Sequence, residues 1–342
     1  MFADPMERGV EALAQRYPDP LLFLEDVHDR RVEFGRQGLI RAAVSQSRGI
    51  ALETGGDGSV SAHLSGPSPD RVGDAVRSLI RGEYPGIVSA SADPFEPSRE
   101  PEGAGPLVGS ILARVPLGHG GARVKVRGRY VQYAQGIRVA STTMGQVAEI
   151  REGSRVRLTV ELHRNGREGV GTVDWVGRPG RAPDPAGLVA AAVARAEVRL
   201  DARPAPRGGH PMVMAPGVGG VLVHEMFGHA LEARVGAAHG SALVREGAGP
   251  RSREIRVIDD PRRGRVPWRR DDEGEPARAI ALVADGRLAG TLHNRATARS
   301  GGAARTGHAR RSSYLSPTLP RMGCTFIAAG RHDPAAILED TG

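Results

Sequence analysis

The chain contains almost no cysteine, few aromatic residues and no long apolar run. Cys324 is the only thiol in 342 residues, so no disulfide can close within the chain. No segment of about 20 apolar residues is present to cross a membrane as a helix. The N-terminal segment mixes acids and prolines where a secretion signal needs apolar residues. These absences predict a cytoplasmic protein without a membrane partner.

Basic residues are plentiful, but nearly all of them are arginine. Lys125 is the only lysine among 47 basic residues, and the net charge is +8. This balance is compatible with nucleic-acid binding. However, the arginines are spread along the chain, and aromatic residues, at 4%, offer little surface for stacking on bases. We therefore expect no nucleic-acid partner. The 39% hydrophobic content is typical of a soluble globular protein, and the length of 342 residues suggests two or three domains.

One short apolar segment concentrates groups that can bind a metal. Residues 216–233 read PGVGGVLVHEMFGHALEA, in which His224, Glu225 and His229 form the pattern H-E-x-x-x-H. The apolar residues before and between them predict a helix. On such a helix Glu225 is a candidate general base.

The spacing of the two histidines differs from the H-E-x-x-H of zinc proteases, in which the ligands are four residues apart. On a regular α-helix that turns about 100° per residue, His224 and His229 would diverge by about 140°. Zinc, in contrast, needs both ring nitrogens about 2.0–2.1 Å away. The spacing therefore predicts a widened, π-type turn between them, and we expect Gly228 to lower its steric cost.

The alternative interpretation is a buried helix whose histidines hydrogen-bond to the backbone. Burying two imidazoles and a carboxylate without partners is costly. A metal would satisfy all three groups, which favours a metal site, but a five-residue spacing is a weaker signal than four and leaves the alternative open.

The chain as a whole predicts an α+β fold in three parts. An N-terminal α+β domain with an antiparallel sheet, residues 1–110, ends in a proline-rich stretch. Residues 111–205 form an antiparallel meander plus a helix over 185–200, with Asn165-Gly166 as a type I′ hairpin turn. Residues 206–342 form a β-rich C-terminal domain that carries the metal-site helix. The elements predicted for the N-terminal domain are helices over 6–16 and 69–82 and strands over 21–27, 39–45, 50–53 and 60–64.

Two acidic clusters follow the metal segment, at residues 259–260 and 271–273. They could bind a metal, because carboxylates are good ligands for hard cations. Solvated turns closed by Asx hydrogen bonds are the favoured interpretation.

A basic stretch, TGHARR, places His308 beside Arg310 and Arg311. These groups could stabilise an oxyanion or bind a peptide carboxylate, or they could form a basic solvated loop. His293, in LHNRA, is a candidate of the same kind.

Read together, several segments resemble the TldD/PmbA family of metalloproteases. They are PGVGGVLVHEMFGHALEA, IDDP, DDEG, LVADGRLAGTLHNRATA, TGHARRSSY and PRMGCTFIAAG, in the family's order, with LVAAAVARAEVRLDARPAP and LIRAAVSQSRGIAL upstream. The likeness covers nearly the whole chain. Because PmbA/TldE-type subunits generally lack H-E-x-x-x-H, the motif is that of a TldD-type subunit.

The resemblance implies a zinc-dependent peptidase in which His224 and His229 hold zinc and Glu225 activates water to attack a peptide carbonyl. It implies unfolded or leader-type peptides as substrates, bound extended against a strand. It also implies a dimer that encloses a chamber, either of two copies or with a TldE/PmbA-like subunit.

The resemblance further implies a cysteine as third zinc ligand, in a region that family members carry beyond the end of this sequence. We therefore expect an incomplete site, in a fragment or a truncated gene product, that holds zinc weakly. Cys324 is not expected to replace that ligand, because Phe326 and Ile327 predict a strand in which the thiol packs as a small hydrophobe. The alternative function is a non-catalytic, peptide- or partner-binding subunit that has lost its metal.

Overall fold

The fold is α+β, as the sequence predicts, with long antiparallel strands and a few helices. In the described part of the chain, no helix is both long and apolar enough to span a bilayer. The computed structural model describes residues 5–55, 61–65, 103–178, 181–205, 207–210, 212–215, 217–233 and 252–340, together with residues 74, 77, 78 and 81.

One seven-stranded antiparallel sheet organises the chain as far as residue 177. Its strands are β1 Leu21–Gly35, β2 Gly38–Glu53, β3 Ser61–Ser65, β4 Gly118–His119, β5 Ala122–Ser141, β6 Gly145–Arg164 and β7 Arg167–Gly177. They lie in the order β3-β2-β1-β5-β6-β7, and β4 pairs with β5.

A tight turn sets the register of the last two strands. Asn165 and Gly166 have φ of 49° and 73°, the left-handed values that a type I′ turn needs at both central positions. The turn places Arg164 opposite Arg167, and the pairing continues unbroken to the end of β7. The predicted hairpin is confirmed.

The helix predicted over 185–200 is also confirmed. Asp184 caps it by accepting hydrogen bonds from the N–H groups of Ala186 and Gly187 at 3.0 and 2.9 Å, and Pro185 occupies the first helical position. The helix predicted over 69–82 lies largely outside the described residues. The helices are α1 Pro5–Ala14, α2 Ala104–Leu112, α3 Pro185–Leu200, α4 Val218–Val223, α5 Arg295–Gly301 and α6 Pro334–Glu339.

One face of the large sheet packs on α2 and α3. Alternate residues of β5 and β6, such as Val124 and Leu158, are buried on this face, as the two-residue period of a strand requires. Gly171 allows α3 to lie against β7, because a Cβ there would be 1.9 Å from the carbonyl oxygen of Ala192.

The opposite face of the sheet carries a smaller C-terminal unit. Across the junction, Arg151 Nη1 donates to Asp272 Oδ1 at 2.6 Å, with both side chains buried, and the N–H of Tyr314 donates to Glu25 Oε2 at 2.9 Å. The unit contains β8 Val257–Asp259, β9 Ile280–Ala284, β10 Arg287–Leu288, β11 Ala309–Arg310, β12 Leu319–Pro320 and β13 Thr325–Ile327. They form a four-stranded sheet in the order β10-β9-β8-β13 and a β11-β12 pair.

The strands are longer than the sequence predicts. The segments predicted over 39–45 and 50–53 are parts of one strand, β2, whose polar middle is paired with β1 throughout. The strand pairing maintains regular structure where the apolar alternation fades. The boundary predicted near residue 110 falls inside α2, and one sheet joins strands from residues 1–110 and 111–205.

Candidate metal centre

The H-E-x-x-x-H segment forms a helix whose pitch changes along its length. After Gly217, whose φ of 98° suits glycine, α4 leads into a π-turn from His224 to Gly228 and a 3₁₀ turn from His229 to Leu231. In the π-turn the N–H of His229 donates to the carbonyl of His224, five residues back. The predicted widening is confirmed, and it aligns residues i and i+5.

The widened turn brings three polar groups together. The ring centroids of His224 and His229 are 4.7 Å apart, with the planes at 81°. One ligand atom from each of His224, Glu225 and His229 lies within 4.8 Å of the other two. Two atoms bound to one zinc ion are at most about 4.2 Å apart, so modest side-chain rotations would let both imidazoles reach one ion. The donor set therefore fits zinc.

The site is open to solvent. Glu225 is exposed, and the side chain of His229 is 44% exposed. The alternative of a fully buried helix is therefore wrong for this segment. Water and an extended chain can reach the carboxylate.

The other side of the helix anchors it in the C-terminal unit. Val223, Phe227 and Leu231 are buried in a cluster with the β8 and β9 strands. Met226, which adjoins the buried Phe227 in the chain, is 41% exposed. The reason is geometric, because the π-turn rotates fewer degrees per residue and moves Met226 away from the packed side.

Gly228 has a different role from the one predicted. Its φ of −61° is an ordinary helical value, so the turn does not need glycine's conformational freedom there. A Cβ at this position would lie 1.7 Å from Sδ of Met322. Glycine is needed because it leaves room for this side chain against the helix.

A buried carboxylate to which the sequence reasoning gave no role lies behind His229. Glu232 is 1% exposed, and it accepts hydrogen bonds from Arg321 Nη1 at 2.9 Å and from the N–H of Met322 at 3.3 Å. Its Oε1 is 3.6 Å from His229 Nδ1. This distance exceeds that of a direct hydrogen bond, but the carboxylate faces Nδ1, so Nε2 is the ring nitrogen that could bind a metal. The i, i+3 spacing from His229 was the available signal.

The predicted substrate-binding residues lie near the junction of the C-terminal unit and the large sheet. His308 is fully buried, with Nε2 3.0 Å from Asp259 Oδ1 and Nδ1 2.9 Å from the carbonyl oxygen of Thr306. Both ring nitrogens therefore face protein acceptors. The structure does not bring this ring to the H-E-x-x-x-H surface.

The two neighbouring arginines are also engaged within the protein. Arg311 is buried, with Nη2 2.8 Å from Glu53 Oε1. The guanidinium of Arg310 lies over the Trp268 ring at 4.6 Å and pairs with Asp272. These contacts favour a structural role over a solvated loop.

His293 is half-buried, and its Nε2 is 2.7 Å from the hydroxyl of Thr291. Burial lowers the pKa of His293, so the neutral ring is favoured at neutral pH. A substrate contact by His293, His308, Arg310 or Arg311 stays a prediction.

The acidic cluster at residues 271–273 is buried, which corrects the prediction of a solvated turn. Asp271 Oδ1 accepts from the N–H groups of Glu273 and Glu275 at 2.9 Å, so the Asx turn itself is present. Its Oδ2 accepts from the N–H of Ala309. The cluster was predicted to face solvent because the sequence does not show that the C-terminal unit closes over it against the sheet. Burial, followed by the charge of Glu273, raises the pKa of Asp271 well above its usual range.

Cys324 immediately precedes β13 and is half-buried, in agreement with a packed thiol. Burial, together with nearby Asp259, raises the pKa of its thiol. The protonated form is favoured, which disfavours metal ligation.

Proteins similar to this chain include metalloproteases. The PmbA/TldA metallopeptidase C-terminal domain matches residues 207–342. A metalloprotease TldD homologue of Haemophilus influenzae is 34% identical over 199 residues, which cover 54% of this chain and 41% of that protein. A metalloprotease of Synechocystis sp. is 37% identical over 134 residues, which cover 38% of this chain and 29% of that protein. The match thus spans less than half the length of these relatives.

Two solved structures have a similar fold. TldE from Thermococcus kodakarensis superposes with a TM-score of 0.77 over 99% of this chain and 80% of that chain, at 16% identity. A protein from Thermotoga maritima described as a putative modulator of a DNA gyrase superposes with a TM-score of 0.75 over 98% of this chain and 80% of that chain, at 15% identity. At these identities the likeness concerns the fold alone.

Proposed function

Because this chain belongs to the PmbA/TldD family, we propose that it is a zinc-dependent peptidase with its metal on His224 and His229. The observation that carries the proposal is the π-turn, which gathers both imidazoles and the carboxylate of Glu225 within 4.8 Å. A regular helix of the same sequence would separate them.

The side chains have distinct roles in the proposed reaction. Glu225 takes a proton from water as the water attacks the peptide carbonyl, and then delivers it to the departing amine. Glu232 lies 3.6 Å from His229 Nδ1 and would orient the ring once the two groups approach to hydrogen-bond distance, which leaves Nε2 for the metal. When bound, zinc supplies Lewis-acid polarisation and electrostatic stabilisation of the developing oxyanion.

The surroundings support a flexible peptide as substrate. Apolar side chains beside the motif are exposed, among them Val221, Leu222 and Met226. An unfolded or leader-type peptide offers side chains to cover them, whereas a folded protein keeps its apolar groups inside. We propose a dimer, of two copies or with a TldE/PmbA-like subunit, as the functional assembly in the cytoplasm.

The central test is Glu225→Gln. The amide cannot accept the proton from water, so hydrolysis of a fluorogenic unfolded peptide should fall by more than about 100-fold. Zinc content should be unchanged, because the two imidazoles are untouched. Activity is measured in the zinc-loaded chain and again after chelation, which should abolish it.

Glu11→Gln is the matched control, since Glu11 is exposed on α1 and the charge change is the same. Full activity is expected. Hydrolysis that persists in a clean Glu225→Gln preparation would refute the general-base role. Peptide binding without zinc or hydrolysis in the unmodified chain would favour the non-catalytic subunit.

A further inference from the structure

A cavity of about 460 Å³ lies where the C-terminal unit meets the open part of the large sheet. Strands β1, β5, β6 and β7 form its floor, and the loop after the 3₁₀ turn Pro261–Arg263 forms one edge. The volume is within the range of about 300–1,000 Å³ that is usual for ligand sites. Its lining contains five arginines, which are Arg31, Arg129, Arg155, Arg157 and Arg265.

The strand register places four of these arginines, all except Arg265, on one face of the sheet. Arg157 is directly opposite Arg129, and Val131 pairs with Arg155 on one side and Arg31 on the other. Directly paired residues point to the same face, where like charges repel. The sheet thus holds guanidinium groups close together at a cost to its own stability.

Internal carboxylates offset only part of this charge. Asp174 pairs with both Arg155, at 3.0 Å, and Arg157, at 2.9 Å, so two guanidinium groups share one carboxylate. Asp29 pairs with Arg31, and Glu33 pairs with Arg129. Among the described residues, these pairs set three carboxylates against the five guanidinium groups, and the side chains of four of these arginines are about half exposed. An anionic ligand can reach them.

The rest of the lining favours a peptide over a nucleic acid. Valines stand between the guanidinium groups, at Val27, Val131, Val176 and Val266. Among the described lining residues, Tyr133 is the one aromatic ring, whereas single-stranded nucleic acid is usually held by several stacking rings. A short peptide that carries both aliphatic and acidic side chains matches this surface.

Two polar atoms of the lining residues also favour a peptide ligand. Within the described part of the chain, Asp29 Oδ1 and the hydroxyl of Tyr133 are buried without a hydrogen-bond partner. An acceptor such as Asp29 Oδ1 needs a donor, which a phosphate backbone does not supply and a peptide N–H does. Because the side chain of Asp29 is 24% exposed, a rotation would present its Oδ1 to the amide donor of a ligand.

We propose that this cavity binds a short acidic peptide segment, with ligand carboxylates on Arg155 and Arg157 and aliphatic side chains between the valines. Its use as a substrate subsite rests on the proposed peptidase function. Binding itself does not, and it is measured in the chelated, metal-free chain.

The test compares two fluorescein-labelled hexapeptides in which valine alternates with glutamate or with glutamine. Fluorescence anisotropy at low salt should give the glutamate peptide at least about tenfold higher affinity, because charge-assisted bonds to guanidinium groups are lost in the amide. The double variant Arg155→Gln/Arg157→Gln should weaken binding of the glutamate peptide by about tenfold.

Arg123→Gln/Arg127→Gln is the matched control, since both residues are exposed on β5 but lie outside the cavity lining. It should change the affinity by less than about twofold. Arg265→Gln lies in a loop rather than a strand, so its expected loss of about threefold does not depend on the sheet tolerating the double variant.

Equal affinity for the two peptides, or an equal loss in the control variant, would overturn the proposal. So would an oligothymidylate that binds more tightly than the glutamate peptide through the same arginines. If the chain hydrolyses neutral peptides but does not bind the acidic peptide, the cavity proposal fails and the peptidase proposal stands. If it binds the acidic peptide but hydrolyses no peptide, the cavity proposal stands and the peptidase proposal fails.

Discussion

Gly228 determines how closely the metal-site helix approaches its support. The space that a Cβ would need is occupied by Met322, whose backbone N–H donates to Glu232, the carboxylate behind His229. Packing at this glycine and the orientation of a proposed ligand are therefore connected through one neighbouring residue.

Gly228→Ala should destabilise the chain by about 1–3 kcal/mol, because Met322 must move out of a packed position. Gly220→Ala is the control, since Gly220 lies in α4 with no atom within 4 Å of its Cβ position. There the helix propensity of alanine should leave stability unchanged or raise it by up to about 1 kcal/mol. Urea unfolding of both variants measures the difference, and equal effects would contradict the packing role.

The sequence predicted the widened turn between His224 and His229 but not the residues that support it. The five-residue spacing of the two histidines predicts this turn, because a regular helix would not direct both imidazoles to one metal ion. Glu232 was missed because its position against His229 depends on Arg321 and Met322, which are about 90 residues away in sequence. No local pattern reports such a contact.

Among the described elements, the 271–274 turn places three consecutive carboxyl groups in the interior, those of Asp271, Asp272 and Glu273. Asp272 forms an ion pair with Arg151 of the large sheet. Glu273 accepts hydrogen bonds from the N–H of Arg295 and the hydroxyl of Thr318. Burial raises the pKa of Glu273, as it does that of Asp271. The turn is therefore a pH-sensitive part of the junction between the C-terminal unit and the sheet.

The sign of this dependence follows from the raised pKa values. When the folded pKa lies above the unfolded one, the stabilising contribution is complete below the unfolded value, near pH 4, and is lost as the pH rises through the folded value. Glu273→Gln removes one such group and its repulsion of Asp271. Between about pH 5 and pH 8, the free energy of unfolding of the variant should therefore fall by about 1 kcal/mol less than that of the unmodified chain.

Urea-unfolding midpoints at both pH values measure this difference, and Glu11→Gln, on the surface of α1, should keep the original pH dependence. An identical pH dependence in Glu273→Gln would show that the buried carboxylates do not control it.

Elements with strong local signals were predicted well, and those held by tertiary pairing were not. The helix α3 has a capping aspartate and a proline at its start, and the hairpin has Asn165-Gly166, so both were located correctly. The middle of β2 has no clear apolar alternation and is ordered by its pairing with β1.

Within the whole molecule, the two proposed sites rest on different sheets, because the metal helix packs on β8 and β9 of the C-terminal unit and the arginine-lined cavity lies on the large sheet. The segment 321–323 connects them, because Met322 packs on Gly228 of the metal helix and Gly323 packs on Pro261, at the base of the loop that borders the arginine-lined cavity. The α+β class was predictable from the alternating patterns. The single sheet across residues 1–110 and 111–205 was not, because the pairing of β1 with β5 joins strands about 100 residues apart.

The π-turn is proposed to allow His224 and His229 to hold one zinc ion. Competition with a chromophoric chelator measures the zinc affinity and so tests this proposal. We expect one equivalent of zinc per chain and a loss of affinity of at least about tenfold in both His224→Ala and His229→Ala. His332→Ala, at an exposed histidine, should have no effect, and Cys324→Ser should change the affinity by less than about threefold. Unchanged zinc affinity in either His224→Ala or His229→Ala would contradict the claim.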